Sequence, residues 1–219
     1  NALSSTQIDG MNATQIAAFK LDKTKTGVDQ VSGDVFAALN TKQVAALTTD
    51  QMMNLIDTQI QALSDSQIGS LKGTQLNALG SNVSKLTASQ VTALTSTQLM
   101  ALKNDQLQQF NEEQIVAIGK DDITALTASQ VGALSALQVG YLDADEVSGL
   151  SKAQIGAIST TAISGLSPDQ LTGFTTEQTQ ALTDAQIACV MKTIQETLGD
   201  NPPVTFTLPH VRRAASTEP

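Results

Sequence analysis

The sequence has no tryptophan, and only one tyrosine, one histidine and one cysteine in 219 residues. Aromatics make up 3% of the chain, so any core must be built from Leu, Ile, Val and Ala. A single cysteine, Cys189, excludes an intramolecular disulfide. It stands where Ala is usual in the pattern described below, which suits a small buried apolar side chain. No apolar run approaches the roughly 20 residues that a membrane span needs. Basic residues are scarce: 12 Lys and Arg against 21 Asp and Glu, for a net charge of -9. Nucleic-acid phosphates need a basic stripe, so no nucleic-acid partner is expected.

Convergent catalytic groups are also lacking. His210 stands alone in the tail, and the many Ser and Thr residues have no base paired with them. Asp143, Asp145 and Glu146 form the densest carboxylate group, with Asp121 and Asp122 next. The segment DADEVSG is too short to be a calcium loop by itself, and its acids suit a helix N-terminus better. Asn12 and Asn82 open N-x-Ser/Thr sequons, which arise by chance in a chain this rich in Ser and Thr. The expectation is no catalytic residue, no cofactor and no metal site. With neither an initial methionine nor a signal peptide, the sequence reads as a segment of something longer.

What the chain does have is one eight-residue phrase, repeated from Leu3 to about Val190. From Leu86 it runs LTASQVTA, LTSTQLMA, LKNDQLQQ, FNEEQIVA, and later LTASQVGA and LSALQVGY. The consensus is Leu, Ser/Thr, x, x, Gln, Val/Ile/Leu, x, Ala. Slot one is a large apolar residue, such as Leu86, Leu94, Leu102, Phe110 and Ile118. Slot two holds a capping residue, such as Thr87, Thr95, Asn111 and Ser135. Slot five is Gln90, Gln98, Gln106 and their equivalents. Slot six is apolar, and slot eight is small.

This is a helix start written repeatedly. Ser or Thr at the N-cap accepts from an amide of the first turn, and Gln three residues later reaches back to the N-cap amide, forming a capping box. Slots one and six form the hydrophobic staple around it. Pro168 follows Ser167 at the first helical position, where proline costs least. Acids gather in slots three and four, as Asp105, Glu112, Glu113, Asp145, Asp169 and Glu177, facing the positive end of the helix dipole. On this reading each glutamine is worth about 1 kcal/mol as half of a cap.

A helix restarted every eight residues keeps about six of them, roughly 9 Å of axis. Such a stub is unstable alone and must bury slots one, six and eight against its neighbours. The predicted fold is therefore all-α: an elongated solenoid of very short capped helices, one per octad, forming one domain. Two rivals fit less well. A continuous helix would turn the apolar residues through a drifting angle, because eight is not near a multiple of 3.6. A β-helix would send slots one and six to opposite faces.

The octad region spans residues 1–190, irregular at 20–30 and 80–85. After Phe19 the phase is lost through Lys20, Lys23 and Lys25, and it resumes at Val31 with Ser32 as cap. One residue is missing between Leu79 and Leu86, where a local kink is expected and the capping glutamine is absent. Residues 190–199 read as a C-terminal capping helix ending at Gly199, and 200–219 as an extended or disordered tail. Slots three, four and seven vary freely and mark whatever face binds a partner. Tyr141 fills a slot that should be small, marking a widened spot in the stack or an outward contact.

The stretches LTASQVTALTSTQLMAL and LTASQVGALS resemble octapeptide-repeat regions of large secreted or surface-exposed bacterial proteins of the adhesin and haemagglutinin-like kind. The resemblance covers most of the chain up to Val190. It implies a non-enzymatic structural or interaction module outside the cell, a stalk or adhesive scaffold whose protein or cell-surface partner is not specified by the repeat. The alternative is a secreted effector or translocon component that binds a host protein through the solenoid surface.

Overall fold

A computed structural model describes residues 5–21, 24 and 31–198. Leu3, Lys23, Lys25, Gly199 and the tail with His210 lie outside the described residues. The described residues form 21 α-helices and one 3₁₀ helix, with no strand among them. All but the last α-helix are four to six residues long, as in Ala88–Thr92, Ser96–Ala101 and Asn104–Leu107. The fold is the expected all-α solenoid of short helices, and neither a continuous helix nor a β-helix. Contacts divide the chain into two compact units, Asn1–Ile118 and Gly119–Pro219. The division falls at a departure from the octad. Gly119 replaces the capping residue with φ of 73°, and Asp122 stands in the glutamine slot.

The helices start as the octad dictates. Thr95 N–H donates to Gln98 Oε1 at 2.8 Å, and Gln98 N–H donates to Thr95 Oγ1 at 3.3 Å. The same reciprocal pair closes at Asn40/Gln43, Ser64/Gln67, Asn111/Gln114, Ser151/Gln154 and Thr175/Gln178. Pro168 sits at the start of its helix, capped by Ser167. Ser32 takes the N-cap position but makes no side-chain cap bond. At Ile56, Lys72 and Lys103 the slot-two side chain caps nothing, yet the glutamine half persists: Gln59, Gln75 and Gln106 still accept the N-cap amide.

That persistence has a structural reason. The glutamines are buried, between 1% and 5% exposed from Gln43 to Gln186. Most use the remaining amide nitrogen to join one coil of helices to another. Gln98 Nε2 donates to Ile68 O at 2.9 Å and Leu71 O at 2.8 Å. Gln75 does the same to Val44 and Leu47, Gln90 to Ile60 and Leu63, and Gln114 to Val83 and Leu86. In the second unit Gln154 reaches Ile123 and Leu126, Gln170 reaches Val139 and Leu142, and Gln178 reaches Val147 and Leu150. The acceptors are the slot-six carbonyl four octads back and the slot-one carbonyl three octads back. Within each unit a coil turn therefore takes between three and four octads. Helices three octads apart pack together, as Thr49–Met53 does on Gly73–Ala78 and Ala128–Gly132 on Lys152–Ala157. Gln15 is exposed and keeps only the capping half, accepting from Asn12 N–H at 2.9 Å.

The seven-residue repeat at Leu79 keeps the coil joined by other means. It folds as a 3₁₀ helix, Gly80–Lys85, entered through Gly80 at φ of 55°. Asn82 Nδ2 donates to Leu55 O at 3.1 Å, the slot-one carbonyl three repeats back. The shorter amide thus takes over the joining bond of the missing glutamine. At the far end the last helix is Asp184–Leu198, fifteen residues long. It begins inside the final octad, with Gln186 still capping Thr183 and joined to Ile155 and Ile158. Val190 and Ile194, each 1% exposed, then continue the buried face past the last octad.

Slots one and six form the core, and slot six is the deeper: Ile60, Ile68, Leu99, Leu107, Ile115 and Ile155 are fully buried. Slot seven is less free than the sequence suggests. A Cβ on Gly132 would stand 2.6 Å from Ala157 O, and one on Gly140 would stand 2.9 Å from Gly165 O, in each case three octads on. The tightest approach is at slot eight, where a Cβ on Gly165 would lie 2.0 Å from Ala136 O. That neighbour is backbone and cannot rotate away. Gly165→Ala should therefore cost about 3 kcal/mol in urea unfolding, at the upper part of the overpacking range. An unchanged midpoint would mean that the coils stand farther apart.

Candidate functional site

The octad's polar chemistry is spent internally. Slot-two hydroxyls cap helices, and slot-five amides cap helices and join coils, so the candidate surface is what remains: slots three, four and part of seven. The acids of slots three and four stay at the surface, as Asp105, Glu112, Glu113, Asp145 and Glu177 show. The described ion pairs are exposed, Lys85–Asp57 at 2.9 Å, Lys152–Glu177 at 4.0 Å and Lys192–Glu196 at 3.7 Å. Pairs of that kind contribute little. Apolar exceptions interrupt the polar face. In the first unit they are Met53, Met100 and Val116, all in slot seven. In the second it is Leu137, in slot four and 71% exposed.

Each unit carries a surface recess among the described residues. That of the first, about 480 Å³, follows the 3₁₀ turn and is lined by Met53, Thr74, Asn77, Ser81, Asn82 and Lys103. Asn77 Oδ1 is buried there without a hydrogen bond. That of the second, about 470 Å³, lies beside the last helix among Thr160, Thr161, Ser164, Cys189, Lys192 and Glu196. The second recess brings hydroxyls and one half-buried thiol together with a lysine and a glutamate.

The residues singled out from the sequence do not converge. Cys189 is free, on the last helix. Tyr141 is half-buried, closing the helix Ala136–Gly140 as its C-cap. Asp143 is an N-cap, Asp145 is exposed, and Glu146 is buried in the glutamine slot. Asp121 and Asp122 lie in the first turn of Lys120–Ala125. No group of three or more His, Cys, Asp or Glu residues is placed to hold a metal among the described residues. No described helix is long and apolar enough to cross a membrane. Asn12 is an N-cap, and the amide of Asn82 is engaged with Leu55, so both sequon asparagines have local structural work.

Sequence reasoning missed two residues. The sequence marks Asn82 as a chance sequon in an irregular stretch, and Glu146 only as one of several acids. The signal for both was positional, since each stands at or beside the slot where the array places an amide. Neither a protein-family model nor a curated protein sequence matches this chain.

Proposed function

We propose that the chain is a non-enzymatic structural and interaction module, a stalk or adhesive scaffold of a secreted or surface-displayed bacterial protein. The observation that carries this reading is the internal use of the octad's side chains. An array that commits its amides and hydroxyls to caps and coil joints has a framework set by repetition, while slots three and four are left to vary. Such arrays present broad surfaces rather than a single cleft. The test is location: an antibody raised against this chain should label intact cells that make it. Labelling only after the cells are opened contradicts the reading.

A second reading is a secreted effector or translocon component that engages a host protein. Leu137 favours it, because a large apolar side chain 71% exposed in a slot otherwise mostly small or polar is an anchor in search of a pocket.

A further inference from the structure

The recess beside the 3₁₀ turn lies wholly within the first unit, and side chains around it depart from the octad. Slot two, normally a capping residue, holds Lys103, which caps nothing, is exposed and belongs to none of the described ion pairs. Slot seven supplies Met53, 47% exposed, and Asn77, whose Oδ1 is buried and accepts no hydrogen bond. The residue missing after Leu79 adds the turn that carries exposed Ser81. The framework does not need these side chains. The caps and coil joints beside them are made by Gln75, Gln106 and Asn82.

Together they surround about 480 Å³ with a cation, two hydroxyls, an unsatisfied acceptor and an apolar thioether. That volume falls in the roughly 300–1,000 Å³ range of small-ligand sites. Lys103 calls for an anion, and Asn77 Oδ1 for a donor. No carboxylate lines the recess, so an ammonium donor would go unmatched and a hydroxyl suits it better. Met53 calls for a C–H face. One class of small molecule meets all three demands: a sugar bearing a carboxylate.

We propose that this recess binds a uronic-acid sugar. The carboxylate pairs with Lys103, the C–H face of the ring lies on Met53, and further hydroxyls exchange hydrogen bonds with Thr74 and Ser81. One hydroxyl donates to Asn77 Oδ1, which a turn of the side-chain amide presents to the recess, so the stranded acceptor gains its partner only with the sugar bound. The net charge of -9 opposes an anion at long range. Salt screens that repulsion beyond about 8 Å under physiological conditions. A single contact of this size is weak and gains strength where many copies meet a surface. The proposal deepens the adhesive reading above, and rests on it only for the source of the sugar, a cell-surface glycan.

The test is a titration of the nitrogen-15-labelled full chain with methyl glucuronide, methyl glucoside and acetate at physiological salt, followed by NMR. The glucuronide should shift the amides of residues 77–81 and 103 saturably, with a Kd in the millimolar range. The glucoside lacks the charge and acetate lacks the hydroxyls, so each should bind about tenfold more weakly, as expected for losing one good polar contact. K103Q should weaken glucuronide binding by a similar factor and leave the melting temperature unchanged. N77A should also weaken it, while leaving the response to acetate as it was. No saturable shift, acetate or glucoside binding as tightly as the glucuronide, or undiminished binding by K103Q would overturn the proposal. The titration uses the purified chain, so it fails separately from the labelling of intact cells: surface labelling without sugar binding removes the ligand and keeps the scaffold.

Discussion

Gln98→Leu should destabilise the protein by about 4 kcal/mol, several times the cost of removing its capping partner. Leucine is close to glutamine in size, so the change removes bonds with little change in volume. Four are lost: those from Thr95 N–H and the Thr95 hydroxyl, and those to Ile68 O and Leu71 O. Ile68 O still accepts from Leu71 N–H at 3.1 Å. Leu71 O is left without its side-chain partner in a buried interface, and Thr95 N–H loses its acceptor in a part-buried cap. A buried polar group stranded in this way costs about 1–3 kcal/mol. Thr95→Ala removes the N-cap acceptor and a part-buried hydroxyl bond to Gln98 Oε1, and should cost about 1 kcal/mol. Urea unfolding of the two variants side by side is the measurement. Equal losses would show that the glutamine only caps.

Leu102→Ala should cost about 2–5 kcal/mol, the range for deleting a buried leucine. Leu102 is 3% exposed and sits between helices Ser96–Ala101 and Asn104–Leu107, where stubs too short to fold alone are joined. Truncating it opens a cavity in a core that has no aromatic bulk nearby in sequence to refill it, apart from Phe110. The control is Met100, two residues away and 45% exposed. Met100→Ala should stay within about 0.5 kcal/mol. A Leu102 variant as mild as the Met100 variant would place slot one at the surface.

Much of this architecture is legible in one octad. Thr95, Gln98 and the staple of Leu94 with Leu99 specify a helix start, and the next Thr/Ser cap specifies where it must end. Local chemistry of this kind depends on residues three to five apart, so the sequence displays it directly. The number of octads per coil turn is not legible, because it depends on where Gln98 Nε2 finds carbonyls 27 and 30 residues back. Nothing in the spacing of one octad encodes that distance.

The irregular repeats were legible in place but not in consequence. The missing residue before Leu86 announces a disturbance, but only the 3₁₀ turn brings Asn82 within reach of Leu55. Gly119 is equally visible in the sequence, but its positive φ and the unit boundary beside it belong to the backbone path. The surface was the least legible. Slot seven holds exposed Met53 and tightly packed Gly132 alike, and only the approach of a neighbouring coil distinguishes them.

The joining role of the slot-five glutamines can be tested directly by hydrogen exchange of their side-chain amides, read by NMR. The Nε2 protons of Gln67, Gln75, Gln90, Gln98 and Gln114 should exchange far more slowly than those of exposed Gln61 and Gln109, and should show scalar couplings across the hydrogen bond to their slot-one carbonyl carbons. Exchange of the buried glutamines as fast as that of Gln61 and Gln109, with no such coupling, would contradict the account and leave the coils without their joints.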